Sequence, residues 1–381
     1  MSALVGPGTL LILNAGSSSL RVVAFDWDNL EEVGREALHW DEASGGEAGQ
    51  HARAAADLLR GGRWAAPVLA VGHRVVHAGL PGIAARLDAR VRDAIAAHAD
   101  LAPLHNPAAL AVMEASENVL PAAAQVAVFD TGFHATLPPH AYLYAVPLEW
   151  HTVLGIRRFG FHGLSHAYCS RRAAELLGRD AVGLRVVTCH LGAGCSLCAC
   201  LDGRSLTTTM GYTPLDGLMM ATRCGALDPG AVLAVLRRGH YDLETLGRVL
   251  DQESGLMGVS GVSGDMRAVL TAKAAGAERA TWAFDLYISR LRQGIAALAA
   301  ELGGLDAVVF TGGVGENSAP VRGAALAGLE WMGIQLDAGL NGVATPDTDV
   351  ATSGSRVRVL VVATREELVA AEATRQLLLS P

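Results

Sequence analysis

The chain has 381 residues, more than one ordinary hydrophobic core carries, so two domains are expected. Hydrophobic residues make up 51% and charged residues 18%, which excludes an extended disordered chain. Thirty Lys and Arg against 38 Asp and Glu give a formal charge of −8, which disfavours nucleic acid or an anionic membrane as partner, although local Arg clusters can still hold small anions.

The apolar runs are short and broken by Gly or charge, so no transmembrane span is expected. The opening "MSALVGPGTL" has neither the basic start nor the long apolar stretch of a signal peptide. Six cysteines (Cys169, Cys189, Cys195, Cys198, Cys200, Cys224) fall in one 56-residue window. Without an export signal, that points to a reducing cytoplasm rather than a disulfide framework.

In chain order, "LLILNAGSSSLRVVAFD" (10–26) reads as two apolar strands joined by a tight loop of Asn14, Gly16 and three serines. Residues 43–67 read as a loop and an Ala-rich helix, ending at "GGRWAAP". "VLAVGHRVVHAG" (68–79) is a strand with a polar end at Gly72–His77. A helix over 88–99 leads to a loop bracketed by Pro103 and Pro107, and a second helix follows over 108–118. "AAAQVAVFDTGFH" (122–134) is a strand running into a polar turn. A Pro- and aromatic-rich segment over 136–168 precedes a helix that ends near Leu177. "LRVVTCHLGAGCSLCACLDG" (184–203) is strand, Gly loop, strand, and 207–230 reads as a long loop. In 281–302, Trp282, Leu286, Ile288, Leu291, Ile295 and Leu298 recur at roughly helical spacing until Gly303 and Gly304 stop the helix. "LDAVVFTGGVGENS" (305–318) reads as strand, Gly loop, helix, and 356–378 as a last strand and helix.

Strands alternating with helices indicate an α/β architecture. Gly16–Asp26 and Gly192–Asp202 share one layout, with an offset of 176 residues near half the chain, which reads as an internal duplication. Three Gly-rich loops follow apolar strands: "NAGSSSLR" (14–21), "HLGAG" (190–194) and "GGVGENS" (312–318). Backbone N–H groups in such turns form anion nests, and Ser hydroxyls add rotatable donors. No Walker or dinucleotide Gly pattern is present, and a plain tight turn is the alternative for each loop taken singly.

With these loops go "GHRVVHAG", "APLHNP", "VFDTGFH", "RFGFHGLSH", "GYTPLDGLMMATRCGALDPG", "GVSGDMR" and "TREELVAA", in an order that resembles the acetate kinases of the acetate and sugar kinase, heat-shock ATPase and actin superfamily. The resemblance runs from Leu11 to about Ala373. It implies two duplicated actin-like (ribonuclease H-like) domains with a nucleotide cleft between them. The N-terminal domain would comprise 1–132 plus 366–381, on the acetate and metal side, and the nucleotide-binding domain 133–365. It implies transfer from ATP to acetate with Mg²⁺ (or Mn²⁺), and a cytoplasmic homodimer.

An anionic carboxylate must approach an anionic γ-phosphate in that reaction, so cations are the first requirement. The resemblance places a substrate-binding arginine at Arg74 and transition-state stabilisers at Arg223 and His162. It also places the family's proton donor or acceptor at Asp130. A carboxylate nucleophile is already deprotonated near neutral pH and needs no base, so Asp130 is expected instead to hold Arg74 or metal-bound water. Metal positions fall on Asn14 and Glu366. Nucleotide positions fall on Arg21, on His190, Leu191, Gly192, Ala193 and Gly194, on Asp265, Met266 and Arg267, and on Gly313, Val314, Gly315, Glu316 and Asn317. Val76, Leu104, Phe161 and Pro214 form the implied methyl pocket.

Other readings stand beside these. His162 and His166, four apart, could bind zinc, but no H-E-x-x-H and no third ligand accompany them. Cys195, Cys198 and Cys200 spell C-x-x-C-x-C, a metal or redox pattern that also suits small core residues on a strand. A kinase for propionate or another short carboxylate is the near alternative, and a non-enzymatic actin-like ATPase module the distant one. Arg21 stands where many of the family have Lys, and the 27–67 stretch is shorter than in many of them.

Overall fold

The computed structural model describes residues 7–16, 19–40, 48–62, 64, 66–102 and 105–380. Two compact units result: Met1–Ala135 with Arg365–Pro381, and Thr136–Thr364.

The first unit contains β1 (Thr9–Ala15), β2 (Ser19–Asp26), β3 (Glu32–His39), α1 (Ala48–Gly61), β4 (Val68–Val75), β5 (Ala84–Arg86), α2 (Ala89–Ala97), α3 (Asn106–Val119) and β6 (Ala124–Phe129). The second runs through α4 (Pro139–Tyr142), α5 (Glu149–Thr152), α6 (Gly163–Leu176), β7 (Arg185–Leu191), β8 (Cys195–Leu201), β9 (Arg204–Thr208), α7 (Pro229–Arg237), α8 (Leu243–Gln252), α9 (Gly255–Ser260), α10 (Met266–Ala274) and α11 (Glu278–Glu301). It continues with β10 (Ala307–Thr311), α12 (Gly312–Asn317), α13 (Ala319–Leu326), α14 (Ala338–Gly342), β11 (Thr348–Asp349) and β12 (Arg358–Val361); α15 (Glu366–Leu379) then returns to the first unit.

The two sheets are wired alike. From the same edge their orders are β3-β2-β1-β4-β6-β5 and β9-β8-β7-β10-β12-β11. In each, an antiparallel hairpin (β1–β2, β7–β8) leads into parallel neighbours (β1, β4, β6; β7, β10, β12). The sequence offset between the two hairpins is therefore matched by a repeated topology. Every residue of β1 is buried, as suits a central strand covered on both faces. Leu11, Leu13, Val22 and Ala24 pack with Leu58, Leu59 of α1 and Val112 of α3. α15 packs on β1, β4, β5 and β6, while α11 packs on β7, β8 and β9.

Several boundaries differ from the sequence expectation. β3, β5 and β9 were not expected as strands. β3 is an edge strand held by its ladder to β2 and is almost wholly exposed, so it lacks the alternating apolar signal. α3 starts at Asn106, whose buried amide donates to the His77 and Ile95 carbonyls, with Pro107 tolerated in the first turn. α6 begins at Gly163, earlier than expected, so His166 lies on its first turn. "GGVGENS" is helix rather than loop, because Glu316 Oε1 accepts from Gly312 N–H at 2.9 Å and closes the first turn. On α11, Trp282 and Leu286 face solvent; the buried face is Ala283, Phe284, Tyr287, Ile288, Leu291, Ile295 and Leu298. Among the described residues no helix is long and apolar enough to cross a membrane.

Candidate active site

In the first unit, the carboxyl ends of the three parallel strands converge on one arginine. Asn14 and Arg74 are the last residues but one of β1 and β4, and Asp130 follows β6. This end of a parallel sheet is where α/β folds place ligands. Arg74 Nη2 donates to Asp130 Oδ2 at 2.6 Å, Nε to Asp130 Oδ1 at 3.3 Å and Nη1 to Asn14 Oδ1 at 3.1 Å. Glu366, the first residue of α15, brings Oε2 to 3.8 Å from Arg74 Nε. α15 can lie this close to β4 because Gly72 has no side chain: a Cβ there would sit 2.5 Å from Thr374 Oγ1. Arg21, on β2, pairs with Glu367 at 3.4 Å.

Three carboxylates (Asp130, Glu366, Glu367) thus face two guanidiniums. Burial raises the Glu366 pKa, with Asp130 and Glu367 adding to the rise and Arg74 and Arg21 opposing it. For Arg74, burial works against the charge, but the Asp130 and Glu366 carboxylates outweigh it and raise its pKa further. The guanidinium is thus permanently charged and held in one plane, suited to bidentate contact with a carboxylate. Neighbouring His73 points away, bonded to Gln125 Oε1 at 2.7 Å, and burial lowers its pKa to about 4.

In the second unit, the β7–β8 turn carries "HLGAG", closed by Gly192 N–H donating to Gly194 O at 3.0 Å. His162 caps α6 in the left-handed region (φ 55°, ψ 26°), a strained conformation for a non-glycine residue and one that gathers at functional sites. Its ring stacks on His190 at 4.2 Å. His162 Nδ1 lies 2.9 Å from Ser196 Oγ, and His190 Nδ1 lies 2.8 Å from Ser165 Oγ. Arg223 is oriented by Asp251, with Nε donating to Oδ1 at 2.9 Å. Its loop is pinned by Ala221 N–H donating to Ala193 O and Met220 N–H donating to Arg223 O. A Cβ on Gly194 would lie 3.3 Å from His162 Nε2 and 3.5 Å from Arg223 Nη1, so both side chains border the Gly loop.

The remaining expected positions fall out as follows. Asp265 caps α10, accepting from Arg267 N–H at 2.9 Å, and is also paired with the exposed Arg267 guanidinium. Met266 is buried core, so its side chain is not presented to a base. A Cβ on Gly264 would lie 3.1 Å from Ala221 Cβ, which puts the start of α10 beside the Arg223 loop. On α12, Gly315 packs against Cys189 O and Leu191, and Gly313 is open; Glu316 is spent on closing the helix, and Asn317 Nδ2 donates to Gly313 O. Val314 also lies on α12. Phe161 is buried; its segment is pinned by Phe159 and Gly160 N–H donating to Gly211 O, near half-buried Pro214. Val76 is half-buried after β4, in the other unit. Leu104, Ser17 and Ser18 lie outside the described residues. Cys195, Cys198 and Cys200 are buried and free, like small core residues. Sequence reasoning missed Ser196, Thr188, Ser165 and Asp251, small or acidic residues in no recognisable pattern. It also missed Arg322, whose buried guanidinium donates to the Gly315 and Glu316 carbonyls that end α12.

A doubled sheet of this topology, with Gly turns at the hairpins and arginines near them, defines the duplicated actin-like fold of the kinase, heat-shock ATPase and actin superfamily. The acetokinase family profile matches residues 9–372. A relative named acetate kinase in Nostoc sp. (strain PCC 7120) is 53% identical over 303 residues, covering 79% of this chain and 75% of the relative. The acetate kinase of Thermosynechococcus vestitus is 43% identical over 412 aligned residues, covering 98% and 99%. The crystal structure of Porphyromonas gingivalis acetate kinase superposes with a TM-score of 0.87 at 34% identity, covering 97% of this chain and 100% of that one. A propionate kinase from Francisella tularensis gives 0.88 at 32%, covering 97% and 99%. The chain belongs to the acetokinase family.

Proposed function

We propose that this chain is an acetate kinase, transferring the γ-phosphoryl group of ATP reversibly to acetate by direct in-line displacement. The observation that carries the reading is the family match over 9–372, with Arg74 and Asp130 bonded in one unit and His162 and Arg223 beside Gly194 in the other. Arg74 holds the acetate carboxylate in a fixed plane. His162 and Arg223 take up charge on the phosphoryl group in flight, where preorganised donors stabilise most. Asp130 positions Arg74. Val76, Leu104, Phe161 and Pro214 receive the methyl group.

The first unit serves the carboxylate and the metal, the second the nucleotide. The 190–194 turn meets phosphates, with Arg21 read as a further phosphate contact; Gly313–Asn317 of α12 and the Asp265–Arg267 segment serve the adenosine. Asn14 and Glu366 fit Mg²⁺ or Mn²⁺ as hard oxygen donors, and the acid excess around Arg74 suits a cation. Among the described residues no group of three or more His, Cys, Asp or Glu side chains is set to hold a metal, so Asn14 and Glu366 would hold it together with the nucleotide. Bound there, the metal would neutralise phosphate charge. The enzyme works as a cytoplasmic homodimer in this reading.

Acetate-dependent ADP formation tests it: no stimulation by acetate overturns the reading. The likeness to a propionate kinase favours a second substrate, propionate, as a slower one. One methylene in an apolar pocket is worth only about 1–3 kcal/mol, so rates with acetate, propionate and butyrate decide the preference.

A further inference from the structure

His162 sits at one end of an unbroken chain of side chains. Its Nδ1 is 2.9 Å from Ser196 Oγ; Ser196 Oγ is 2.7 Å from His166 Nε2; His166 Nδ1 is 2.7 Å from Thr188 Oγ1; and Thr188 Oγ1 donates to the Cys198 carbonyl at 3.4 Å. Ser196, His166 and Thr188 are wholly buried, on β8, α6 and β7. A carbonyl oxygen can only accept, and a hydroxyl has one proton to give. The far end therefore sets the direction of every bond.

Thr188 spends its proton on the Cys198 carbonyl, so it accepts from His166 Nδ1–H. Burial disfavours a charged His166, so its Nε2 keeps a lone pair and accepts from Ser196 Oγ–H. Ser196 then has only its oxygen lone pairs left for His162, whose Nδ1 must donate.

We propose that Ser196 is a positioning residue that holds the neutral His162 ring in its Nδ1–H form, so that His162 donates from Nε2 only as an imidazolium. The tautomer follows from the hydrogen-bond chain with His166 neutral; its catalytic consequence rests on the acetate kinase reading. Nε2 borders Gly194, where that reading puts the phosphoryl group. A neutral His162 would turn a lone pair toward a phosphate oxygen and repel it. The rate should therefore fall as pH rises and the imidazolium loses its Nε2 proton. The groups around His162 include His166 on its own helix, stacked His190 on β7, Ser196 on β8, and Arg223 with its partner Asp251. Arg223, and His190 when protonated, oppose the second proton on His162. Asp251 is occupied by Arg223, and the anionic nucleotide favours that proton.

The test reads the tautomer directly. Full-length protein carrying ¹⁵N-histidine is studied by two-bond ¹H–¹⁵N correlation, with the His162 signals assigned by their loss in His162→Gln. The expected wild-type pattern above the titration is a protonated Nδ1 and a bare Nε2. Ser196→Ala should move His162 to the Nε2–H form that free imidazole favours, and Ser196→Thr should restore the wild-type pattern. In kcat against pH, Ser196→Ala should lower the maximum about tenfold and lose the alkaline fall, since a neutral Nε2–H can then donate. Thr188→Val, which breaks the far end, should shift the tautomer the same way and serves if Ser196→Ala does not fold. A wild-type His162 protonated at Nε2 when neutral overturns the proposal, as does an unchanged tautomer in Ser196→Ala. A wild type with the expected tautomer but no acetate-dependent activity would overturn the reading of function and leave the hydrogen-bond chain standing.

Discussion

Replacing Asp130 with alanine should leave a largely buried guanidinium without its main counter-ion. Asp130 accepts two bonds from Arg74, one of them at 2.6 Å, and its side chain is 3% exposed against 18% for Arg74. Breaking a buried pair by deleting one partner costs about 3–5 kcal/mol. Glu366 remains 3.8 Å away and Asn14 keeps its bond, so the loss here should be about 2–4 kcal/mol. For a unit of this size that lowers the melting temperature by about 4–16 °C. Asp130→Asn keeps the shape and one acceptor, so about 1–2 kcal/mol is expected. Thermal melts of both variants read the stability term, and acetate titrations read the catalytic one. With its plane no longer fixed, Arg74 should lose about a hundredfold in kcat/KM for acetate, the usual cost of an ångström of misplacement. An Asp130→Ala protein that melts with the wild type refutes the ion-pair argument. An Asp130→Asn protein at near-full rate, with unchanged acetate and metal affinity, refutes the positioning role.

Three further outcomes are expected. Gly194→Ala places a methyl 3.3 Å from the His162 ring and 3.5 Å from Arg223 Nη1, so kcat should fall about 10–100-fold with little change in melting temperature, as steady-state kinetics and a thermal melt will show. Gly255→Ala forces a side chain into φ 61° with its Cβ 2.2 Å from the Met220 carbonyl, and should cost about 3 kcal/mol or more by urea denaturation. Because burial raises the Glu366 pKa in the folded protein, the folded state takes up that proton before the unfolded chain does. The stability so contributed is present below the unfolded value and lost as pH rises through the raised one; Glu366→Gln should flatten this dependence in melts across the acid range, and wild-type metal affinity should weaken as Glu366 protonates.

What the sequence disclosed follows from what each signal measures. β1 was legible because all seven residues are buried and the run is apolar. β3 was not, because ladder bonds to β2 build it while its side chains stay in water. On α11 the helix was readable but its face was not: Trp282 and Leu286 fit the spacing and still point outward, since apolar character alone does not say which side meets a sheet. Arg74 and His162 were singled out through motifs at a strand end and a helix start, and Arg223 through one in a long loop. The supports behind them were hidden. Ser196 and Thr188 look like ordinary strand residues until β7, β8 and α6 bring their hydroxyls against imidazoles. Asp251, 28 residues from Arg223, orients it with no local sign that it does so. Met266 and Glu316 stand in motifs read as ligand contacts, but their side chains are committed to the core and to a helix start, which leaves only their backbone to offer.

The return of α15 to the first sheet has a consequence for biosynthesis. Asn14, Arg74 and Asp130 leave the ribosome early, but their acidic companion at position 366 is made more than two hundred residues after Asp130. A nascent chain can pair most of its first sheet and still leave β1, β4 and β6 uncovered where α15 belongs. The charge cluster around Arg74 is therefore incomplete until α15 has been made, and polypeptides that stall or are clipped before this segment should be inert.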